Sequence, residues 1–151
     1  MFLTYEEWYE LNKNSLNCKP RSQQFSFADF IENGFEGVSP IPFKKGEIYY
    51  AKITKKSKKR PFVIWQNDFL NEACFRGDYH SIIVLPLSSK LKGGAMRYKI
   101  YPRENLLKTS EIVCNAIGIV AVNKFLWERG KITSLTKEEI KEIEKIVSFI
   151  L

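Results

Sequence analysis

The chain has 151 residues, 44% hydrophobic and 14% aromatic, which is enough apolar material for one packed domain with an appendage and argues against a disordered chain. Its longest apolar runs, at 82–87 and 116–122, are too short to span a bilayer, and Glu6, Glu7 and Glu10 stand where a secretory leader needs positive charge, so a cytoplasmic protein is expected. The net charge of +7 is uneven: residues 1–37 hold six acids and three bases, whereas residues 38–151 hold eleven acids and twenty-one bases, a balance that favours a polyanionic partner.

From the N-terminus, Thr4-Tyr5-Glu6-Glu7 has the pattern of a capping box, and Tyr5, Trp8, Tyr9 and Leu11 form one apolar face, which predicts a helix over 5–13. Ser26 can cap a second short helix that ends near Gly34. Ser39-Pro40-Ile41-Pro42 reads as an extended linker, which separates an N-terminal helical extension (1–42) from the rest (43–151). A strand is predicted over 47–53, a loop over 55–59, and a second strand over 61–66, rich in β-branched and aromatic residues. A third strand over 81–87 is nearly all apolar and therefore central. Lys92-Gly93-Gly94 makes a turn into a fourth strand over 96–101, where Met96, Tyr98 and Ile100 alternate with Arg97, Lys99 and Tyr101. A long fifth strand follows over 111–122, bent or bulged at Gly118. A helical turn near 123–127 and a short strand at 131–133 come next. Thr136-Lys137-Glu138-Glu139, a second capping box, opens a helix with Ile140, Ile143, Val147 and Ile150 on one face. Short strands closed by one helix predict a mainly β fold, a small and strongly bent antiparallel barrel with flanking helices.

The chemistry concentrates around Arg60. Between Lys44 and Arg60 there are eight bases and one acid, Glu47. Pro61 biases Arg60 toward an extended backbone, so a planar, always-charged group is held at the mouth of a strand, a good place to meet a phosphate. Ser88 and Ser89 follow the central strand; their hydroxyls can donate to a phosphate or simply build a turn. Gln66, Asn67 and Asp68 are expected to form a turn through side-chain-to-backbone bonds. Tyr49, Trp65, Tyr98 and Tyr101 could stack on unpaired bases, although half of any such set on alternating strands must face the core. His80 is the only histidine, which excludes a two-histidine acid–base pair, and it reads as a loop residue. Cys18, Cys74 and Cys114 lack metal-ligand spacing and are expected to be reduced thiols. No zinc or Walker motif is present, so neither a metal nor another cofactor is expected.

The run Lys58-Lys59-Arg60-Pro61-Phe62-Val63-Ile64-Trp65-Gln66-Asn67-Asp68, preceded by Gly46-Glu47-Ile48-Tyr49-Tyr50, resembles the start of MazF/PemK-type toxins, small endoribonucleases of toxin–antitoxin pairs. Ile83-Val84-Leu85-Pro86-Leu87-Ser88-Ser89 resembles their third strand with its hydroxyl pair. Gly130-Lys131-Ile132 and the helix after Leu135 extend the likeness over roughly 43–151. The resemblance implies an SH3-like antiparallel β-barrel with a C-terminal helix, a homodimer, a cognate antitoxin partner and metal-independent cleavage of single-stranded RNA, with mRNA as the expected target. It also implies Arg60 and Ser88 as catalytic residues and Ser89, Lys56, Lys58 and Lys59 as substrate-binding residues. Arginine is a poor conventional acid, so Arg60 is expected to stabilise charge. Many family members carry an acid or amide pair and then a base where this chain has Asn115, Ala116 and Gly118. That difference keeps open a barrel that binds RNA or protein without cutting, in the manner of the related gyrase poisons. Residues 1–42 have no counterpart in the short members and read either as a packing appendage or, being acidic and aromatic, as a lid.

Overall fold

The structure, a computed structural model, describes residues 43–151. The helices expected at 5–13 and after Ser26, and Cys18, lie outside the described residues. Seven strands form one curled antiparallel sheet: β1 (Glu47–Ala51), β2 (Arg60–Ile64), β3 (Ser81–Ser88), β4 (Arg97–Ile100), β5 (Ser110–Val113), β6 (Gly118–Ala121) and β7 (Thr133–Ser134). Their order is β4-β5-β3-β2-β1-β7, with β6 also on β3. The sheet makes a half-barrel, closed by the helix α2 (Lys137–Ile150); a second helix, α1 (Asp68–Phe75), lies between β2 and β3. Among the described residues no helix is long and apolar enough to cross a membrane.

β3 is central, as its apolar run predicts. It pairs with β2 through Ile64↔Val84, with β6 through Ile83↔Ile119 and with β5 through Ser88↔Glu111. Directly opposed residues share a sheet face, and the two faces carry two cores. Tyr49, Phe62, Ile64, Val84 and Val120 pack with Phe43, Phe125 and Trp127 and with Cys74 and Phe75 of α1. Ile48, Val63, Leu85, Leu87 and Ile112 pack on the other side with Ile143 of α2.

Two elements differ from expectation. The residues after β2 form a helix and not only a turn. Asn67 caps it, its side chain accepting from the Leu70 N–H at 2.9 Å. Buried Gln66 ties the helix to the sheet: its Nε2 donates to Asn71 Oδ1 at 2.9 Å, and its Oε1 accepts from the Ile83 N–H at 3.0 Å. The long fifth strand is divided into β5 and β6. Four residues of β3 separate Val84 from Ser88, whereas seven separate their partners Gly118 and Glu111. Three residues must therefore be looped out, and a turn at 114–117, closed by Ala116 N–H donating to Val113 O at 3.1 Å, absorbs them. The last short strand, expected at 131–133, is Thr133–Ser134, paired with Glu47 and Ile48. Gly46 leads into β1 with φ +89°, a left-handed backbone that strains other residues, and a Cβ there would lie 2.7 Å from Ile140 Cδ1 on α2 and push that side chain aside.

The capping box of α2 forms as expected. Thr136 Oγ1 accepts from Glu139 N–H at 3.2 Å, and Glu139 Oε1 accepts from Thr136 N–H at 2.8 Å. Glu139 also meets Arg103 as a fork: Nη1 donates to Oε2 at 2.9 Å, and Nη2 lies 2.7 Å from Oε1. Burial alone would raise this carboxyl, but the Arg103 and Thr136 donors outweigh it and hold it below its ordinary range. A carboxylate lowered in the folded state stabilises fully above its unfolded pKa of about 4.3 and loses that contribution as pH falls toward the folded value. Glu139→Gln keeps the capping box and removes the ion pair. It is expected to cost about 1–3 kcal/mol at pH 7. In urea melts from pH 7 to pH 2, the gap between variant and wild type should close below about pH 4; a gap of constant size would contradict the ion-pair account.

Candidate active site

Arg60 opens β2, with Pro61 behind it and Ala51 of β1 as its partner. Phe62 pairs with Pro86; carried two residues further, the same register brings Arg60 level with Ser88. Ser88 pairs with Glu111, and Glu111 with Lys99. Ser88, Glu111 and Lys99 thus form a row across β3, β5 and β4, and the β2 register, continued past Phe62, points Arg60 to its end. The row lies on the face that holds the Trp127 core, beyond the part of it that core residues fill. Arg60 is exposed, and among the described residues no hydrogen bond or ion pair engages its guanidinium.

The loop before Arg60 is folded by its own hydroxyls. Thr54 N–H donates to Ser57 Oγ at 2.9 Å, and Ser57 N–H to Thr54 Oγ1 at 3.0 Å. Lys59 Nζ sits 4.4 Å from the centre of the Tyr50 ring, a cation–π contact that fixes its stem. Lys56 and Lys58 are exposed on the same loop. The structure therefore places a compact cationic loop at the Arg60 end of the row.

Ser88 is half-buried and partly committed to a turn. Its Oγ accepts from the Lys90 N–H at 3.1 Å and makes only a long contact, 3.4 Å, to Lys90 O. Ser89 is exposed next to it. The turn role that serines commonly play at strand ends is thus present, and the weak 3.4 Å contact leaves the hydroxyl proton open to a better acceptor.

Two of the four candidate stacking rings are buried and a third is partly covered. Tyr49 is buried in the first core with its hydroxyl donating to Glu47 Oε1 at 3.0 Å, and burial, then the Glu47 charge, pushes the phenol far up. Trp65 is buried beneath Lys45, whose Nζ lies 4.6 Å from the ring centre. Tyr98 packs on the second core. Tyr101, 65% exposed and flanked by Lys99 Nζ at 5.8 Å, remains open at the β4 end of the row.

His80 precedes β3 at the end opposite Ser88, about 26 Å away at the usual rise per residue. Asp68 is structural: Oδ1 accepts from Lys45 N–H at 2.9 Å and from Asn71 Nδ2 at 3.1 Å. Cys74 and Cys114 are buried free thiols, and burial pushes Cys114 up to about 11. Asn115 and Ala116 are exposed in the 114–117 turn. Among the described residues no three His, Cys, Asp or Glu side chains gather as metal ligands do. Glu111 was not singled out from the sequence. Its only local signal is a charged residue inside an apolar strand.

Compared with known families, residues 44–151 match the PemK-like, MazF-like toxin of type II toxin–antitoxin systems. The fold is similar to that of an endoribonuclease in complex with its cognate antitoxin from a mycobacterial species, at 12% identity and a TM-score of 0.57, over 71% of this chain and 92% of that one. It is similar to the Mycobacterium tuberculosis toxin MazF-mt6, at 16% identity and a TM-score of 0.56, over 68% and 93%. A chain of the MazE–MazF structure (Form-II) from Deinococcus radiodurans is similar at 11% identity and a TM-score of 0.53, over 72% and 93%. At these identities the structural likeness is one of fold. No curated protein matches the sequence.

Proposed function

Because the chain belongs to the PemK-like, MazF-like toxins of type II toxin–antitoxin systems, a family known as endoribonucleases, we propose that it cleaves single-stranded RNA without a metal, by attack of a ribose 2′-OH on the adjacent phosphate. The observation that carries this reading is the exposed Arg60 guanidinium, engaged by no hydrogen bond or ion pair among the described residues, at the end of β2 that extends toward Ser88, beside the cationic loop. The 2′-oxygen bonds to phosphorus as the bond to the 5′-oxygen breaks. The 2′-OH proton leaves to a phosphate oxygen or water, and a proton returns to the 5′-oxygen. The products are a 2′,3′-cyclic phosphate and a 5′-hydroxyl.

Arg60 offers a rigid fork of donors to the oxygens on which phosphorane charge develops. Ser88 exchanges its long Lys90 contact for a phosphate oxygen. Lys56, Lys58 and Lys59 hold the flanking backbone, chiefly by releasing counterions, and the Ser89 hydroxyl donates to it. Tyr101 offers a face on which an unpaired base can stack. A cognate antitoxin and a homodimer are proposed as the protein partners; a mycobacterial endoribonuclease of the same fold is known in complex with its antitoxin.

The test uses a defined RNA and its analogue with deoxyribose at the scissile position. Cleavage of the first with cyclic-phosphate ends, undiminished by EDTA, and none of the second, is the expected result. Activity that EDTA abolishes and magnesium restores would overturn the mechanism. The competing reading, a barrel that binds RNA or protein without cutting, is favoured by the 114–117 turn, which supplies neither an acid or amide pair nor a base. RNA bound with no new ends would establish it.

A further inference from the structure

We propose that Glu111 is a positioning residue that clamps the loop after β3, and with it Ser88 and Ser89, in the geometry needed for cleavage; this rests on the reading of the Arg60–Ser88 site as the place of RNA cleavage. Glu111 is the strand partner of Ser88 and only 4% exposed. Its carboxylate is turned to the loop 89–96. Oε1 accepts from the Lys92 N–H at 2.8 Å, Oε2 accepts from the Gly93 N–H at 3.0 Å, and Oε1 also accepts from Arg97 Nη1 at 3.1 Å. The same Arg97 nitrogen donates to Lys90 O at 3.1 Å, and the Lys90 N–H donates to Ser88 Oγ at 3.1 Å. One ion pair, its carboxylate buried, therefore reaches Lys90, Lys92 and Gly93 of the loop and, through Lys90, ends on the Ser88 hydroxyl.

The loop needs such a clamp. Gly93 and Gly94 have φ of +67° and +99°, and nothing lies within 4 Å of where their Cβ atoms would be. Packing does not hold this turn, and glycine pairs lose more freedom on ordering than other residues. A buried carboxylate must find donors, and here the backbone and Arg97 supply them.

Glu111 stands next to Ser88 and so invites the role of general base, but its environment argues against it. Burial would raise its carboxyl, yet the Lys92, Arg97 and Gly93 donors outweigh that and hold it below its ordinary range. A base needs a free lone pair and a pKa near the working pH. Glu111 is held below that range by the loop donors, which engage both of its oxygens.

The experiment compares wild type, Glu111→Gln and Arg60→Ala in full-length protein, with kcat and KM on a defined RNA and amide hydrogen exchange without RNA. Glu111→Gln keeps the shape and turns an amide N–H₂ toward donors. The expected result is a fall in kcat on the order of 10²-fold, as for a displaced catalytic group, with KM within about a factor of three. The Lys92 and Gly93 amides should lose protection in that variant while the strand amides keep theirs. Wild-type kcat in Glu111→Gln, beside an inactive Arg60→Ala, overturns the clamp alone. Wild-type protein that leaves RNA intact overturns the reading of the site as well. If Glu111→Gln does not fold, wild type still decides: Lys92 and Gly93 amides exchanging as fast as an unstructured loop overturn the clamp.

Discussion

Arg60→Ala is expected to reduce RNA cleavage on the order of 10³-fold or more, the scale seen when a donor to developing charge is removed. Stability should change by no more than about 0.5 kcal/mol, because the side chain is exposed and no ion pair among the described residues depends on it. The separation between the two effects is the informative part. Arg60 is held by Pro61 and the β1 ladder through its backbone, so the strand survives without its guanidinium. Arg60→Lys restores the charge but not the planar fork, and should recover only a small fraction of the rate. Initial rates on a defined RNA and a thermal melt of each variant make the check. A wild-type rate for Arg60→Ala would remove the arginine from the active site.

Trp127→Ala is expected to cost about 3–5 kcal/mol, the range for deleting a large buried aromatic, and can leave the chain unfolded at 37 °C. Trp127 is 1% exposed and lies between two rings: Phe43 at 5.0 Å and 19°, and Phe125 at 4.7 Å and 22°. Tyr49 meets its edge at 4.9 Å, and Nε1 donates to Val122 O at 3.0 Å. Trp127→Phe should keep most of the stack and lose the hydrogen bond, for a smaller cost of about 1–2 kcal/mol. Urea unfolding of both variants tests the ordering. Equal costs would place the stability in the hydrogen bond, and a cost below about 1 kcal/mol for the alanine variant would show that this cluster is not the main support of its face.

The two predictions concern one sheet face. The Trp127 cluster anchors β1, β2 and the start of β3 from that side, and the row from Arg60 to Lys99 continues where the cluster stops. A variant that loosens the cluster should therefore lose activity through the alignment of β2 with β3, whereas Arg60→Ala should lose it with the alignment intact.

Several features were legible because their causes are local. Pro61 after Arg60 marks a strand mouth whatever the rest of the chain does. Thr136 and Glu139 close a helix start within four residues. The apolar run of β3 reads as central because a strand buried along most of its length, as Ile82, Val84, Leu85 and Leu87 are, favours such a run. The β4 alternation and the basic loop are also properties of neighbouring residues. What only the tertiary structure decided depends on register between distant segments. The break between β5 and β6 exists because β3 offers its two partners registers three residues apart, which no window of the 111–122 sequence contains. α1 needed Gln66 to find Asn71 and the Ile83 N–H, seventeen residues away. Whether Tyr49, Trp65 or Tyr101 meets solvent turned on which sheet face each core occupies. Glu111 became the partner of Ser88 only when β5 met the end of β3, because a hydrogen-bonded ladder couples residues by pairing and not by distance along the chain.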